Sequence, residues 1–285
     1  MATDEYILTL SCPDKPGIVH AVTGVFAARK INILDLKQFS DTVSQKFFMR
    51  VHFGPAPAAE ADELGGSDFA KLAAEYGMTY DVRPVSRKTK VLIMVSKIGH
   101  CLNDLLFRAR SGRLAINVAL IVSNHPDFAA LAESYGVEFR HLPVTKDTKA
   151  EQEAEVLRLA RERGVELVVL ARYMQVLSPT LCEAMSGRII NIHHSFLPSF
   201  KGARPYHQAH DRGVKIIGAT AHFVTADLDE GPIIEQRISR VDHSMGPKQL
   251  VDEGAAVETL VLGAAVQWYA ERRVFLNNQK TVVFN

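Results

Sequence analysis

The sequence predicts an α/β protein in two parts: a small βαββαβ unit, followed by a doubly wound domain on a mostly parallel sheet. Three observations predict it. Up to about residue 84, short strands bracket two helical stretches. A polar, basic, proline-marked segment then interrupts the pattern at "RPVSRKTK", Arg83 to Lys90. Beyond it, continuous apolar runs alternate with helical ones, as in parallel sheets covered on both faces. A chain of 285 residues also exceeds the usual size of a single core.

In the first part, "YILTLSC" alternates as a strand does, "PDKPG" is a turn, and "IVHAVTGVFAARK" repeats apolar residues at helical spacing. "INILDLKQFS" and "KFFMRVHF" read as two strands, "DFAKLAAEYG" as a helix stopped at Gly77, and "MTYDVRP" as a last strand. This is the ferredoxin-like order. The Pro-, Ala- and Gly-rich stretch "GPAPAAEADELGGS" reads as a surface loop or poorly ordered excursion. We therefore expect a first domain over 1–84 and a second over 90–285.

In the second part, "KVLIMVS", "NVALIVS", "VEFRHLPV", "VELVVLA" and "GRIINIHH" are the expected strands. "DFAALAESYG" and "KAEQEAEVLRLARERG" are helices between them, "KIIGATAHFV" and "GPIIEQRISRV" two later strands, and "GPKQLVDEGAAVETLVLGAAVQWYAERR" one long helix or two.

Composition narrows the function. Hydrophobic residues make up 47% and charged residues 23%, with a formal net charge of +1, an ordinary globular balance. Neither part shows the basic patch that a nucleic-acid partner demands. Cys12, Cys101 and Cys182 lie far apart, so neither a disulfide framework nor a cysteine zinc site is supported. "MATDEYILTL" carries acids where a signal peptide needs a basic stretch, and no apolar run reaches bilayer length. A soluble, cytoplasmic protein is expected, with no membrane or nucleic-acid partner.

The chemistry concentrates at "RIINIHHSFLPSFKGARPY", Arg188 to Tyr206. Ligands of open parallel sheets sit beyond the carboxyl ends of the strands, and Asn191, His193 and His194 leave a strand at that end. Asn191 and His193 are two apart, so in an extended chain both side chains point to one side. "FLPSFKGARP" is expected to be a loop, because Pro198, Gly202 and Pro205 oppose regular structure. A second cluster, "HFVTADLDEGPII", holds Asp229 in an acidic loop after a strand. Spacing alone does not bring Asp229 to His193. Taken singly, Asn191 reads rather as a turn cap, His193 as a buried hydrogen-bonded histidine and Asp229 as a turn residue.

The segments "ELVVLARYMQVLSP", "NIHHSFLP" and "GATAHFVTADLDEGPIIEQ", in this order between Glu166 and Gln236, resemble the formyltransferase-type domain of enzymes that use 10-formyltetrahydrofolate. In that family an Asn-x-His and a downstream Asp form the catalytic set, which the resemblance places on Asn191, His193 and Asp229. Attack on a formyl carbon builds an oxyanion that Asn191 and His193 would stabilise, while Asp229 orders or deprotonates the nucleophile and, with His193, protonates the leaving nitrogen. Neither metal nor cofactor is required. The resemblance implies a folate pocket lined by Met174, Leu177 and Val224, with backbone groups near Ala171, Gln175 and Asp227 at the polar edge of the pteridine. Met174 and Leu177 read equally as core residues.

An acceptor carrying a phosphate calls for a glycine-rich turn after the first strand, as in the glycinamide ribonucleotide formyltransferases. The matching place here, "SKIGHCLNDLL", holds one glycine. With a second histidine at position 194 and an N-terminal domain, the chain is similar instead to the formyltetrahydrofolate deformylases, in which water replaces the acceptor. The resemblance implies release of formate for purine synthesis and of tetrahydrofolate to balance the one-carbon pool. His100, His194 and Phe200 are expected to close the pocket around a water. An amine-directed formyltransferase is the alternative, and a folate or amino-acid sensor without catalysis a third.

The first part, above all "CPDKPGIVHAVTGVFAARKINILDL", resembles an ACT domain. The resemblance implies a homodimer or homotetramer and an amino-acid effector near Asp14, Gly17 and Asn32, or a pairing domain that binds nothing.

Overall fold

A computed structural model describes residues 3–197 and 205–285. The chain divides into two compact units, one of residues 1–88 with Glu271–Asn277 and Val282–Asn285, the other of Thr89–Ala270 with Asn278–Thr281.

The first unit runs β1 (Thr3–Pro13), α1 (Ile18–Ala28), β2 (Ile33–Asp41), β3 (Lys46–Pro57), α2 (Ala58–Glu63), α3 (Phe69–Tyr76) and β4 (Thr79–Pro84). Its antiparallel sheet has the order β2-β3-β1-β4. Strand alternation in β3 sends Phe47, Met49, Val51 and Phe53 toward the helices, where Ile18, Val22 and Phe26 of α1 and Phe69 of α3 complete the core. The Phe26 and Phe53 rings meet edge to face at 4.9 Å.

Two expectations change here. Residues 54–67 are ordered: β3 continues to Pro57, α2 follows, and a π-helical turn spans Leu64–Asp68. Ala61 and Leu64, three apart, bury one face in the core, so apolar spacing outweighs the Pro and Gly content that suggested a loop. Within the expected second domain of 90–285, Glu271–Asn277 and Val282–Asn285 group with the first unit. Phe48 points to the sheet face away from the helices, and Phe275 covers it at 5.8 Å.

The second unit runs β5 (Thr89–Val95), α4 (His100–Arg110), β6 (Ile116–Ser123), α5 (Ala129–Ser134), β7 (Phe139–His141), α6 (Lys149–Glu162), β8 (Leu167–Leu170), α7 (Pro179–Ala184), β9 (Ile189–His193), α8 (Pro205–Asp211), β10 (Ile216–Phe223), β11 (Ile233–Arg240) and α9 (Pro247–Ala270). The sheet order is β11-β10-β9-β8-β5-β6-β7. The run from β9 to β7 is parallel, and β10 lies antiparallel to both of its neighbours. This is the mostly parallel α/β sheet expected. Leu92, Met94, Leu120, Val122, Val168 and Leu170 pack against α6 and α7 on one face. Helix α9, a single helix of 24 residues, covers β9, β10 and β11. Pro205 starts α8 instead of opposing regular structure, because a proline in the first helical turn lacks only an N–H that would be unpaired anyway. Among the described residues no helix is long and apolar enough to cross a membrane.

Candidate active site

Chain order reverses between β5 and β8, and the ends of β8 and β9 open there into a cleft of about 340 Å³. Ser96, just past β5, ties down the turn after β8. Its N–H donates to the Arg172 carbonyl at 3.2 Å and its hydroxyl accepts from the Met174 N–H at 2.9 Å. The loop leaving β9 is tied to β10 through Thr220, whose hydroxyl donates to the Ser195 carbonyl and accepts from the Leu197 N–H. The third wall is the turn after β10, where the Asp227 carbonyl accepts from the Thr225 hydroxyl and the Glu230 N–H.

Asn191, His193 and Asp229 converge on this cleft. His193 Nδ1 lies 3.3 Å from Asp229 Oδ1, and its Nε2 is buried with no hydrogen-bond partner among the described residues. Asp229 stands at φ 57, a left-handed backbone that few non-glycine residues adopt and that clusters at functional sites. Burial alone would raise its pKa, but the adjacent His193 and His222 imidazoles outweigh that and hold the carboxyl far below its usual range.

His222 is the member that sequence reasoning missed. It sits directly opposite Asn191 in the antiparallel pairing of β9 with β10. Its Nδ1–H donates to the Phe223 carbonyl at 2.8 Å, which leaves Nε2 to accept from Asn191 Nδ2 at 3.2 Å. The same Nε2 is 3.7 Å from Asp229 Oδ1. No spacing in the sequence reveals this, because β10 reaches β9 from the far side of a long excursion.

Met174, Gln175, Leu177, Val224 and Asp227 line the cleft. Met174 is 56% exposed, too open for a core residue, whereas Leu177 is buried in the core as well as touching the cleft. Ala171 is not among the lining residues; it is fully buried and donates its N–H to the Met94 carbonyl. His194 lines the cleft, its imidazole pushed down to about 4 by burial first and then by the nearby Arg172 and His193. His100 does not line it: its Nε2 is held 2.8 Å from Glu258 Oε2. Phe200 lies outside the described residues.

Glu258 was also missed, although a lone acid in the apolar run "AAVETLVLGAAV" is itself a signal. It is 1% exposed and accepts from the Tyr206 hydroxyl at 2.7 Å as well as from His100. Burial would raise its pKa; the His100 hydrogen bond, the Arg172 charge and the Tyr206 hydroxyl lower it on balance. His100, Cys101 and Glu258 offer ligand atoms close enough for a metal ion. The Arg172 guanidinium, 3.5 Å from Glu258, opposes a cation there.

In the first unit, Gly17 stands at φ 93 ahead of α1, a conformation suited to glycine. The Asp14 and Asn32 side chains are exposed, with the Asp14 N–H donated to the Gln45 carbonyl and the Asn32 carbonyl accepting from Gly54.

The chain is similar to known proteins over both parts. Residues 89–266 match the formyl transferase family and residues 6–64 the ACT domain family. A formyltetrahydrofolate deformylase of Corynebacterium sp. (strain P-1) is 52% identical, with 98% of this chain and 97% of that protein covered. One from Escherichia coli (strain K12) is 36% identical with 97% of each covered. The crystal structure of a formyltetrahydrofolate deformylase from Burkholderia mallei superimposes with a TM-score of 0.94 at 53% identity, over 99% of this chain and 100% of that one. A glycinamide ribonucleotide transformylase from Symbiobacterium toebii shares the fold at a TM-score of 0.66 and 30% identity, but over only 70% of this chain and 95% of its own. By its match over the whole length, the chain belongs to the formyl transferase family, among the formyltetrahydrofolate deformylases.

Proposed function

We propose that this protein hydrolyses 10-formyltetrahydrofolate to formate and tetrahydrofolate. The observation that carries the mechanism is the convergence of Asn191, His193 and Asp229 on one cleft, with His193 Nε2 buried and unpartnered. Water attacks the formyl carbon as the Asp229 carboxylate, ionised through the usual pH range, takes or orders its proton. With Nδ1 turned to Asp229, His193 Nε2 acts as the donor to the developing oxyanion and then supplies the proton that the leaving N10 needs. The second N–H of the Asn191 amide, not taken by His222, assists at the same oxygen. His222 fixes that amide.

Met174, Leu177 and Val224 supply the apolar side of a folate site, and Gln175 and Asp227 its polar edge. The released formate feeds purine synthesis. In the first unit, exposed Asp14 and Asn32 and the left-handed Gly17 support an amino-acid effector site, and the ACT match supports assembly as a homodimer or homotetramer.

Mixing the purified protein with 10-formyltetrahydrofolate, without any amine, tests the reaction. Equal amounts of formate and tetrahydrofolate are expected, and none from His193→Ala. Turnover that begins only when an amine is added would make the protein a transferase.

A further inference from the structure

One charged side chain on the cleft has no part in this reaction. Arg172 is the only lysine or arginine among the described residues that line it, and its side chain is 9% exposed. The backbone carries Arg172 at φ 64, a strained position for a residue with a β-carbon. Its Nε and Nη1 are buried and make no hydrogen bond among the described residues. A counter-charge, Glu258 Oε2, lies 3.5 Å from Nε, and both Glu258 oxygens are already engaged, one by Tyr206 and one by His100. Buried N–H groups of a guanidinium left without acceptors are costly, and an oxyanion is the partner they lack.

We propose that Arg172 binds the carboxylate of the product formate as it leaves the His193–Asp229 centre. The inference rests on the hydrolase reading above. In that reaction the water oxygen bonds to the formyl carbon and the C–N10 bond breaks with its electron pair on N10, which takes one proton. The second proton of the water passes to solvent, and formate remains as an anion beside the negative Asp229. Asp229 repels that anion, and Arg172, which lines the same cleft, attracts it. His194, neutral above its depressed pKa of about 4, adds no competing cation.

The test titrates sodium formate, against chloride at matched ionic strength, into the wild-type protein, Arg172→Gln and Glu258→Gln. Formate binding is read directly by line broadening of 13C-formate on folate-free protein, and as inhibition of turnover. Saturable binding to wild type is expected. Arg172→Gln weakens it about tenfold or more, the scale of one charge-assisted hydrogen bond, with the KM for 10-formyltetrahydrofolate changed less than about threefold. Glu258→Gln strengthens formate binding, since it removes the carboxylate that competes for the guanidinium. Equal formate binding in wild type and Arg172→Gln overturns the proposal, as does loss of folate affinity in place of formate affinity, which would mark Arg172 as a site for a folate carboxylate. Should Arg172→Gln fail to fold, Glu258→Gln decides alone: unchanged or weaker formate binding overturns it. Formate release by wild type is followed in parallel. Release without formate binding sinks the site and leaves the hydrolase standing, whereas binding without release sinks the hydrolase reading and the product role with it.

Discussion

Asn191 Nδ2 lies 3.2 Å from His222 Nε2, and the two residues are directly opposed across the β9–β10 pair. Because the Phe223 carbonyl fixes the proton on His222 Nδ1, the imidazole can only accept from the amide in its neutral form. The amide is thereby aimed before substrate arrives. Residues that act as one unit lose their effect together. Asn191→Ala and His222→Ala are each expected to lower kcat by about 10²-fold or more, the scale of one oxyanion donor. The double variant should be little worse than the poorer single one. Additive losses in a kinetic double-mutant cycle would show that His222 does not work through Asn191.

Asp229→Asn separates chemistry from binding. Asparagine tolerates the left-handed backbone at φ 57 and matches the carboxylate in shape, but it cannot take a proton. Single-turnover hydrolysis is expected to fall by about 10²-fold to 10⁴-fold. The dissociation constant of a non-hydrolysable folate should stay within a few-fold. Parallel loss of both would make Asp229 a residue that holds the folate.

Gly231 reports on the same centre from behind. A β-carbon there would come within 1.7 Å of the Phe223 carbonyl oxygen, and neither backbone can retreat, because the Phe223 N–H donates to the Pro232 carbonyl at 2.9 Å. That carbonyl is also what orients His222. Gly231→Ala should therefore lower both the melting temperature and kcat. A variant that melts earlier yet keeps full kcat would show that the carbonyl does not position the imidazole.

The residues that were legible share a cause. Asn191 and His193 are two apart in the chain and lie at a strand end, so a period of two and the rule for parallel sheets place them. The alternation of apolar runs gave the sheet and its helices because burial on both faces leaves few other patterns. His222 needs the register of an antiparallel strand that returns after residues 194–215, and no local spacing encodes such a register. Residues 58–67 were misread because proline and glycine at the edges hid the apolar pair Ala61 and Leu64. The expected role of His100 failed on a contact with α9, more than 150 positions away, that only the folded chain creates.

His194 gives stability a pH dependence whose direction is fixed. Its imidazole stays neutral in the folded protein down to about pH 4, since burial and then the Arg172 charge oppose a proton. In the unfolded chain it takes that proton near pH 6.5, the ordinary histidine value. Between these two values the unfolded state binds more protons, so stability must fall as pH falls from about 6.5 to about 4 and be fully present above that window. Asp229 and Glu258, whose pKa values are lowered in the fold, act in a separate window below the ordinary carboxylate range. Trp268, the single tryptophan, sits on α9 and reports unfolding of the second unit. Urea midpoints followed by its fluorescence at pH 7.5, 6 and 5 should decline in the wild type and decline less in His194→Asn, which has no proton to gain. Identical slopes for the two proteins would mean that His194 takes its proton in the folded state as readily as in the unfolded one.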